Sequence, residues 1–545
     1  MRFTGEGGGR EVTMRASLRH GGFKFFKSSI GVAIPKIGAL RPYLANVGFR
    51  FLTRHGYKIP FSSRSPSSRL GHSILQDPQL QSWVLRSDGE RAGLALMIFL
   101  CSSIVTANLS VADEPSLGMV GESLTENAAP AGENGSQKPP AIIFIPGILG
   151  SSLVRNSDDR TIWGKHPAEA SLLVIDPEMT KNSPDVRAEV LDNYQTPFGE
   201  QSVYGKALDL MRRITVARED VYLFAYDWRR DIRQAAKEFD TEVLKGKDQY
   251  GSNSSWGLDQ RNVVIIAHSM GGLVAWWWLQ EFYRDNAAGQ YPFHVRRLIL
   301  LGTPLRGSCE MARMLFDGYQ DIPSHSYGEG ANVIVYRAMY EYFFSNFKSA
   351  AFTFPSIFQL LPSPSKYNAT LSCLRDQSVS DGKPIDYFNP DTWDKIKNRA
   401  FYELVFKDKP WQKVGMKEAL FIERVKKAAL LGGQFRSQLK AIPNLKLTLF
   451  GNTSHPTVEQ ISLEWVKGCC LFWGSEGYKI VYTIPPNTGD GRVLGSSSRP
   501  VDLENADRRY AAFPHGDLVE DGSFLDYLAN NLESELRADP RFKKE

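Results

Sequence analysis

Ser269 lies in a segment whose residue types suit a nucleophilic serine. Residues 262–278, NVVIIAHSMGGLVAWWW, join one apolar run to another through a short turn that contains the serine. A strand that passes into a helix through such a turn is typical of a nucleophile elbow. The backbone of this turn is strained, so the residues two before and two after the serine must be small. Ala267, where many elbows have glycine, and Gly271 meet that requirement.

A nucleophilic serine needs a general base and an acid that orients the base. In hydrolases with a nucleophile elbow, the acid and then the histidine follow the serine along the chain. His515, in FPHGDL, and Asp490, in TGDGRV, fit this order. His455 is a rival base, but it precedes Asp490 and therefore has the wrong order. We predict a catalytic triad of Ser269, Asp490 and His515.

Two backbone N–H groups are predicted to form an oxyanion hole, the site that stabilises the negative oxygen of a tetrahedral intermediate. Met270 follows the serine at the start of a predicted helix, where N–H groups are free and the helix dipole is positive. Ile148 lies in PGILG, a glycine-rich turn after an early apolar run. Hydrolases with a nucleophile elbow have their second oxyanion donor in such a turn. We assign the two donors to Ile148 and Met270.

Four apolar runs predict the strands that would position these residues. They are Ala141–Ile145, Val263–Ile266, Arg297–Leu301 and Leu445–Phe450. Helical segments alternate with them, which predicts an α/β-hydrolase fold with a mostly parallel sheet and helices on both faces. A further apolar run, Lys479–Ile484, precedes the predicted acid.

The interval of about 305–440 is too long for a loop and is predicted to be a cap domain inserted into a hydrolase domain of residues 141–545. Val335–Phe347 and Phe406–Ile422 are predicted helical segments rich in aromatic residues. These aromatic side chains could line an acyl channel or form an ordinary packed core, and both interpretations remain open.

The N-terminal part differs in composition from the rest. Residues 1–90 have 14 Lys or Arg and 5 Asp or Glu, a net charge of +9, whereas the remaining residues are net −4. We interpret 1–90 as a presequence-like or disordered segment and 91–112 as a signal peptide, with a signal anchor as the alternative. Residues 113–140 are predicted to be a flexible linker. We expect an exported protein, secreted, periplasmic or in an endomembrane lumen, with membrane association left open.

Composition excludes several classes of function. The slightly acidic main part has no basic surface for nucleic acid, and the cysteines lack zinc-ligand spacing. We therefore expect no metal and no cofactor. A disulfide from Cys469 or Cys470 to Cys309 or Cys373 is one alternative. Asn-x-Ser/Thr sequons matter only in an exported eukaryotic protein, and those after the predicted signal segment begin at Asn134, Asn253, Asn368 and Asn452.

Several motifs together resemble the lecithin:cholesterol acyltransferase family, which includes phospholipid:diacylglycerol acyltransferases and lysosomal phospholipase A2. The matching pieces, in chain order, are PGILGSSL (146–153), YDWR (226–229), AHSMGG (267–272), LGTPLRGS (301–308), FPSIFQLLPS (354–363), GDGRV (489–493) and the late His515. The resemblance implies the same triad and oxyanion hole. Animal members close a lid loop with a disulfide, but residues 153–226 contain no cysteine here. A lid around Trp163, which we expect to contact substrate, must be held by other contacts.

The resemblance implies a serine-dependent O-acyltransferase that moves a fatty acyl group from a glycerophospholipid to a sterol or diacylglycerol through an acyl-serine. The expected partners are a phospholipid donor, a lipid alcohol or water, and a membrane or lipoprotein-like surface. One alternative is a phospholipase or lipase that hydrolyses the same ester with water. A second is an inactive lipid-binding protein on a hydrolase scaffold, motivated by Ala267 in the elbow and the long cap.

Overall fold

The computed structural model describes residues 138–542, except for 165–169, 179–185, 197–198, 246–255, 257, 259, 284–290, 292, 318–346, 364–372, 378–382, 443–444, 467–476, 501–502 and 504. The predicted segments 1–90 and 91–112, and the linker up to residue 137, lie outside the described residues. Among the described residues, no helix is long and apolar enough to cross a membrane.

The described strands are β1 Ala141–Ile145, β2 Ser151–Arg155, β3 Thr161–Trp163, β4 Val186–Val190, β5 Asn193–Thr196, β6 Gly199–Ser202, β7 Val221–Leu223, β8 Asn262–His268, β9 His294–Leu301, β10 Leu374–Asp376, β11 Lys383–Pro384, β12 Lys446–Gly451, β13 Gln460–Val466, β14 Gly477–Thr483 and β15 Ala506–Tyr510.

The described α-helices are α1 Ala170–Leu173, α2 Gly205–Ile214, α3 Ile232–Lys245, α4 Met270–Glu281, α5 Glu310–Asp317, α6 Pro355–Gln359, α7 Arg399–Val405, α8 Pro410–Lys413, α9 Glu418–Gln438, α10 Gly495–Ser498, α11 Gly522–Asp526 and α12 Glu533–Arg537. A π-helical stretch, Tyr527–Leu532, joins α11 to α12. Short 3₁₀ helices are present at Arg218–Asp220, Pro390–Trp393 and His515–Glu520.

The central sheet has six parallel strands in the order β15-β12-β9-β8-β1-β7. Its inner strands β1 and β8 are apolar and buried on both faces. Ile143 and Ile145 pack into one core, which includes side chains of α3 and α4. Ile142 and Phe144 pack into the other, with side chains of α2 and the C-terminal helices. Burial on both faces is why the strand sequences are continuous apolar runs. The predicted α/β-hydrolase fold is confirmed.

The apolar run Lys479–Ile484 largely coincides with β14, which does not join the central sheet. It pairs antiparallel with β13 in a four-stranded sheet of order β11-β10-β13-β14. Strands β10 and β11 come from the interval predicted as the cap, whereas β13 and β14 follow β12. The small sheet therefore combines segments from inside and outside the interval 305–440, and the boundary of a cap domain stays a prediction.

The interval 305–440 contains α5 to α9 among its described residues. The predicted helical segment 335–347 lies outside them except for Phe347. The predicted helical segment 406–422 contains α8 and the start of α9, which are separated by a turn at Gly415, whose φ is +70°. This left-handed conformation suits glycine and ends a helix. Aromatic rings in mutual contact form a packed core here, and they are Phe352, Trp393, Phe401, Phe406 and Phe421.

Cys309 and Cys373 form a disulfide with each other. The suggested bridge from Cys469 or Cys470 to either of them is therefore wrong. The sequence did not predict the observed pair, because the contact between Cys309 and Cys373 depends on tertiary packing that sequence spacing does not reveal. Residues 469 and 470 lie outside the described residues.

Candidate active site

Ser269 occupies the turn between β8 and α4, at the carboxyl end of a central strand. Its backbone has φ 52° and ψ −122°, a region that residues with a Cβ rarely adopt. The strained turn is held from the neighbouring strand, because the N–H of Ser269 donates to the carbonyl of Leu301 at 2.8 Å. The turn points the serine side chain away from the strand, and the first residue of α4 follows directly.

Close packing explains the small residues around this turn. A Cβ added to Gly271 would lie 2.4 Å from the carbonyl oxygen of Pro146 and 2.5 Å from that of Ile145. Both atoms belong to backbone, so the contact could not be relieved by a rotamer change. Ala267, in the other small position, is fully buried. Alanine in place of the usual glycine is therefore accommodated at that position.

The structure brings Ser269, His515 and Asp490 into one hydrogen-bonded chain. Nε2 of His515 lies 2.8 Å from Oγ of Ser269. Nδ1 of His515 lies 2.8 Å from Oδ2 of Asp490. Because a carboxylate oxygen accepts, Nδ1 carries the proton and Nε2 faces the serine hydroxyl as an acceptor. All three side chains are buried, although they are 221 and 25 residues apart in sequence.

The loop of Asp490 is held by hydrogen bonds. Oδ1 of Asp490 accepts from the N–H groups of Arg492, at 3.0 Å, and Val493, at 2.7 Å. The carbonyl of Asp490 accepts from the N–H of His515 at 2.9 Å. The carboxylate therefore has one oxygen fixed by its own loop and the other directed at the imidazole. Asp490 and His515 are joined through backbone as well as side chain.

His455, the rival base, lies elsewhere. Its Nε2 is 3.1 Å from the carbonyl of Ala512, and its backbone pairs with Gly489. Thus His455 connects the segment after β12 to the loops of the predicted acid and base. Asn452, one of the sequons, is fully buried and donates to the carbonyl of Phe513 at 2.9 Å. A buried asparagine in this position is inaccessible to glycosylation.

The predicted oxyanion donors border the serine. Met270 is the first residue of α4, and the first N–H groups of a helix have no acceptor within it. Ile148 lies in the loop 146–150, which is closed by a bond of 3.1 Å from the N–H of Gly150 to the carbonyl of Gly147. A Cβ on Gly147 would be 2.9 Å from that of Ser269. The loop therefore lies directly against the serine.

Two residues at the site, His268 and Tyr204, were not predicted as functional. Nδ1 of His268 lies 3.0 Å from the hydroxyl of Tyr204, and its Nε2 lies 3.0 Å from the carbonyl of His515. The Tyr204 hydroxyl accepts from the N–H of Gly147 at 3.0 Å. Sequence could have singled out His268 by its place beside Ser269, but nothing in the local pattern around Tyr204 points to the site.

Burial sets the protonation of both groups. Removal from water, followed by the nearby imidazole of His515, lowers the pKa of His268 to about 3. Burial raises the pKa of Tyr204 above its usual value. At neutral pH His268 is therefore an uncharged imidazole and Tyr204 is an uncharged phenol.

Trp163, predicted to contact substrate, lies at the end of β3 and is largely buried. Its Nε1 donates to the carbonyl of Leu149 at 3.0 Å, in the same loop as Ile148. Its ring packs edge-to-face against Trp228, with centroids 5.6 Å apart. These contacts, together with strand pairing to β2, hold the segment without a cysteine. Direct contact with substrate stays a prediction.

Residues 182–391 match the family described as Lecithin:cholesterol acyltransferase. The match covers less than half of the chain. Among solved structures, it is similar to a chain in "The crystal structure of Tle4-Tli4 complex", with 15% identity, a TM-score of 0.47, and coverage of 74% of this chain and 99% of that one. No curated protein gives a significant match.

This match supports an enzyme that acts on acyl esters of lipids. The matched residues include the turn of Ser269 but neither Ile148, Asp490 nor His515. These three residues follow strands outside the matched range: Ile148 comes after β1, Asp490 after β14 and His515 after β15.

Proposed function

We propose that this chain is a serine O-acyltransferase that moves a fatty acyl group from a glycerophospholipid to a lipid alcohol, a sterol or a diacylglycerol. The observation that carries the proposal is the hydrogen-bonded chain from Asp490 through His515 to Ser269, on a strained turn at the start of a helix. The family match supports lipid acyl esters as the substrate class.

The first half-reaction forms an acyl-serine. Nε2 of His515 takes the proton of the Ser269 hydroxyl as the oxygen attacks the ester carbonyl. Asp490 keeps the imidazole in the tautomer that can accept this proton, and its charge stabilises the imidazolium that forms. His515 then gives the proton to the leaving lysophospholipid oxygen. The bond between the acyl carbon and that oxygen breaks, and the acyl group stays on Ser269.

The negative oxygen of the tetrahedral intermediate is stabilised by the N–H groups of Ile148 and Met270. Met270 contributes the positive end of α4 as well as its own N–H. Backbone donors fixed before the reaction need no rearrangement when the charge develops. The Gly147 contact with Ser269 keeps the loop of Ile148 close to the reacting carbon.

The second half-reaction reverses these roles. His515 takes a proton from the acceptor hydroxyl as its oxygen attacks the acyl carbon. The bond from the acyl carbon to Oγ of Ser269 then breaks, the new ester leaves, and His515 returns the proton to the serine. A lipid alcohol gives transfer, and water gives hydrolysis, so what reaches the acyl-enzyme decides the product. A membrane or lipoprotein-like surface would supply both lipids. The Cys309–Cys373 disulfide supports a location in an oxidising compartment, which is what we expect of an exported protein.

A fluorophosphonate probe tests whether Ser269 is the nucleophile. We expect the wild-type chain to be labelled once, on Ser269, and Ser269→Ala to remain unlabelled. Ser269→Ala, His515→Ala and Asp490→Asn should each lower kcat for phospholipid cleavage by about 10³-fold or more with the fold retained. An unlabelled wild-type protein would instead support the inactive lipid-binding scaffold. Full activity of His515→Ala would contradict the assignment of the base.

The acceptor is tested with vesicles of phosphatidylcholine that carry a labelled acyl chain. Three parallel samples contain no added acceptor, cholesterol or diacylglycerol, with Ser269→Ala as the blank. We expect labelled sterol ester or triacylglycerol to appear at the expense of free fatty acid. Release of free fatty acid alone in all three samples would overturn the transferase assignment and leave a phospholipase.

A further inference from the structure

We infer that His268 and Tyr204 form an uncharged bridge that fixes the general base relative to the oxyanion loop, and that both are positioning residues for acyl transfer. The inference rests on the proposed function. It concerns residues 147, 204, 268 and 515, of which only His515 has a role in the proposed chemistry.

The direction of every hydrogen bond in this bridge can be assigned. The carbonyl of His515 can only accept, so Nε2 of His268 must donate to it across 3.0 Å. A neutral imidazole has one N–H, which leaves Nδ1 of His268 as an acceptor. The Tyr204 hydroxyl therefore donates to Nδ1 across 3.0 Å. Its oxygen accepts from the N–H of Gly147.

This chain of bonds connects the oxyanion loop to the general base. Gly147 immediately precedes Ile148, so the bond to Tyr204 orients the peptide that leads to an oxyanion donor. At the other end, the His515 backbone is held twice: its N–H donates to the Asp490 carbonyl, and its carbonyl accepts from His268. The base is thus fixed by backbone contacts on both sides of its Cα.

Packing makes the bridge rigid. The Tyr204 hydroxyl fits against the concave side of the loop, where a Cβ on Gly150 would be 2.6 Å from it. The Tyr204 ring packs edge-to-face against Phe144 of β1 and against the imidazole of His268. Tyr204, His268 and His515 are all buried. A displacement of His268 would therefore move the base and the loop together.

An uncharged bridge suits its place beside the base. When His515 becomes an imidazolium during the reaction, a charged His268 next to it would oppose that charge. A protonated Nδ1 would also force the Tyr204 hydroxyl to change from donor to acceptor. Burial keeps His268 neutral, so the bridge persists through both half-reactions.

Two assays test the bridge: the rate of phospholipid cleavage and the rate of labelling by a fluorophosphonate. We expect Tyr204→Phe to lower kcat by about 10-fold and His268→Ala by about 100-fold, with KM changed less than about twofold, because small misplacements of catalytic groups are costly. The labelling rate constant of Ser269 should fall in parallel. Tyr527→Phe, which removes a buried hydroxyl that accepts a hydrogen bond from Arg297 of β9, serves as the control and should keep wild-type kcat.

Two conservative variants separate the halves of the bridge. The amide nitrogen of His268→Gln can replace the Nε2 donor to His515, whereas the amide oxygen of His268→Asn can replace the Nδ1 acceptor for Tyr204. We expect His268→Gln to recover at least about fivefold in kcat over His268→Ala, because the base-fixing bond is restored. Adding Tyr204→Phe to His268→Ala should lower kcat no further, since the bridge is already broken.

Additive losses in the double variant, or a Tyr204→Phe kcat equal to that of Tyr527→Phe, would overturn the bridge while leaving the serine mechanism intact. A wild-type chain that neither reacts with the probe nor cleaves phospholipid would instead overturn the proposed function. The two failures are therefore distinguished by the wild-type protein alone.

Discussion

The turn that carries Ser269 is packed closely against backbone, whereas the carboxylate of Asp490 is fixed by hydrogen bonds within its own loop. A Cβ on Gly271 would collide with two backbone carbonyls, while two N–H groups donate to the carboxylate of Asp490. The acid loop also needs glycine, because Gly491 has φ 91° and a Cβ on Gly489 would collide with neighbouring atoms. Small residues are therefore required in both places, but only the serine turn places backbone directly against the nucleophile's helix.

The largest effect is expected from Gly271→Ala, because its Cβ would collide with two backbone carbonyls that cannot move away. We expect this variant to lose all detectable activity and fluorophosphonate labelling. Gly516→Ala is the matched control, one residue after His515, where a Cβ would meet nothing within 4 Å. It should keep activity within about twofold. An active Gly271→Ala would show that the turn is less tightly packed than described.

A smaller effect is expected where the acid and base meet, at Gly302→Ala. A Cβ there would lie 3.0 Å from Nδ1 of His515 and 3.1 Å from Oδ2 of Asp490. These are side-chain atoms that can shift, so we expect kcat to fall by about 10- to 100-fold without complete loss.

Gly415→Ala provides the control for backbone strain. Gly302 and Gly415 both have positive φ, 57° and 70°. Alanine at either position should therefore lower the unfolding free energy by about 1–2 kcal/mol. A Cβ on Gly415 meets nothing within 4 Å, and its activity should be unchanged. Equal kcat for the two variants would contradict a steric effect on the acid–base pair.

The smallest effect is a dependence of stability on pH that arises in the packed turn. The pKa of His268 is lowered to about 3 in the folded chain, below its ordinary value of about 6.5. The unfolded chain therefore binds the extra proton first, so this stability is fully present above about pH 6.5 and is lost as pH falls towards 3. Within that window the free energy of unfolding should fall by roughly 1 kcal/mol per pH unit.

Denaturant unfolding at pH 7, 6 and 5 checks this expectation against His268→Gln, which has no titratable group at that position. The difference in unfolding free energy between wild type and variant should shrink as pH falls. A constant difference from pH 7 to 5 would mean that His268 is protonated in the folded chain or is more exposed than described.

The parts of the fold that sequence could predict are those with a strong local pattern. Continuous apolar runs predicted the central strands β1, β8, β9 and β12 to within a few residues. The run before Asp490 looked the same, yet β14 belongs to another sheet, because an apolar run does not specify its pairing partner. The break between α8 and α9 at Gly415 was missed for the opposite reason, since aromatic content suggested a helix where one left-handed residue ends it.

The site shows the same limit. Chain order and residue type were sufficient to select Ser269, Asp490 and His515, which the structure brings within hydrogen-bonding distance. Their catalytic roles stay a proposal. Tyr204 lies 65 residues before Ser269 in sequence and at the start of a helix with no recognisable motif, so only the folded chain shows that its hydroxyl reaches His268.

The Cys309–Cys373 link has a practical outcome for handling the protein. A protease that cuts the chain between the two cysteines would leave both fragments covalently attached. On a denaturing gel the nicked protein would migrate as a single band until a thiol reagent released the pieces. Samples that look intact without reductant should therefore be compared with reduced ones before any loss of activity is assigned to an amino-acid substitution.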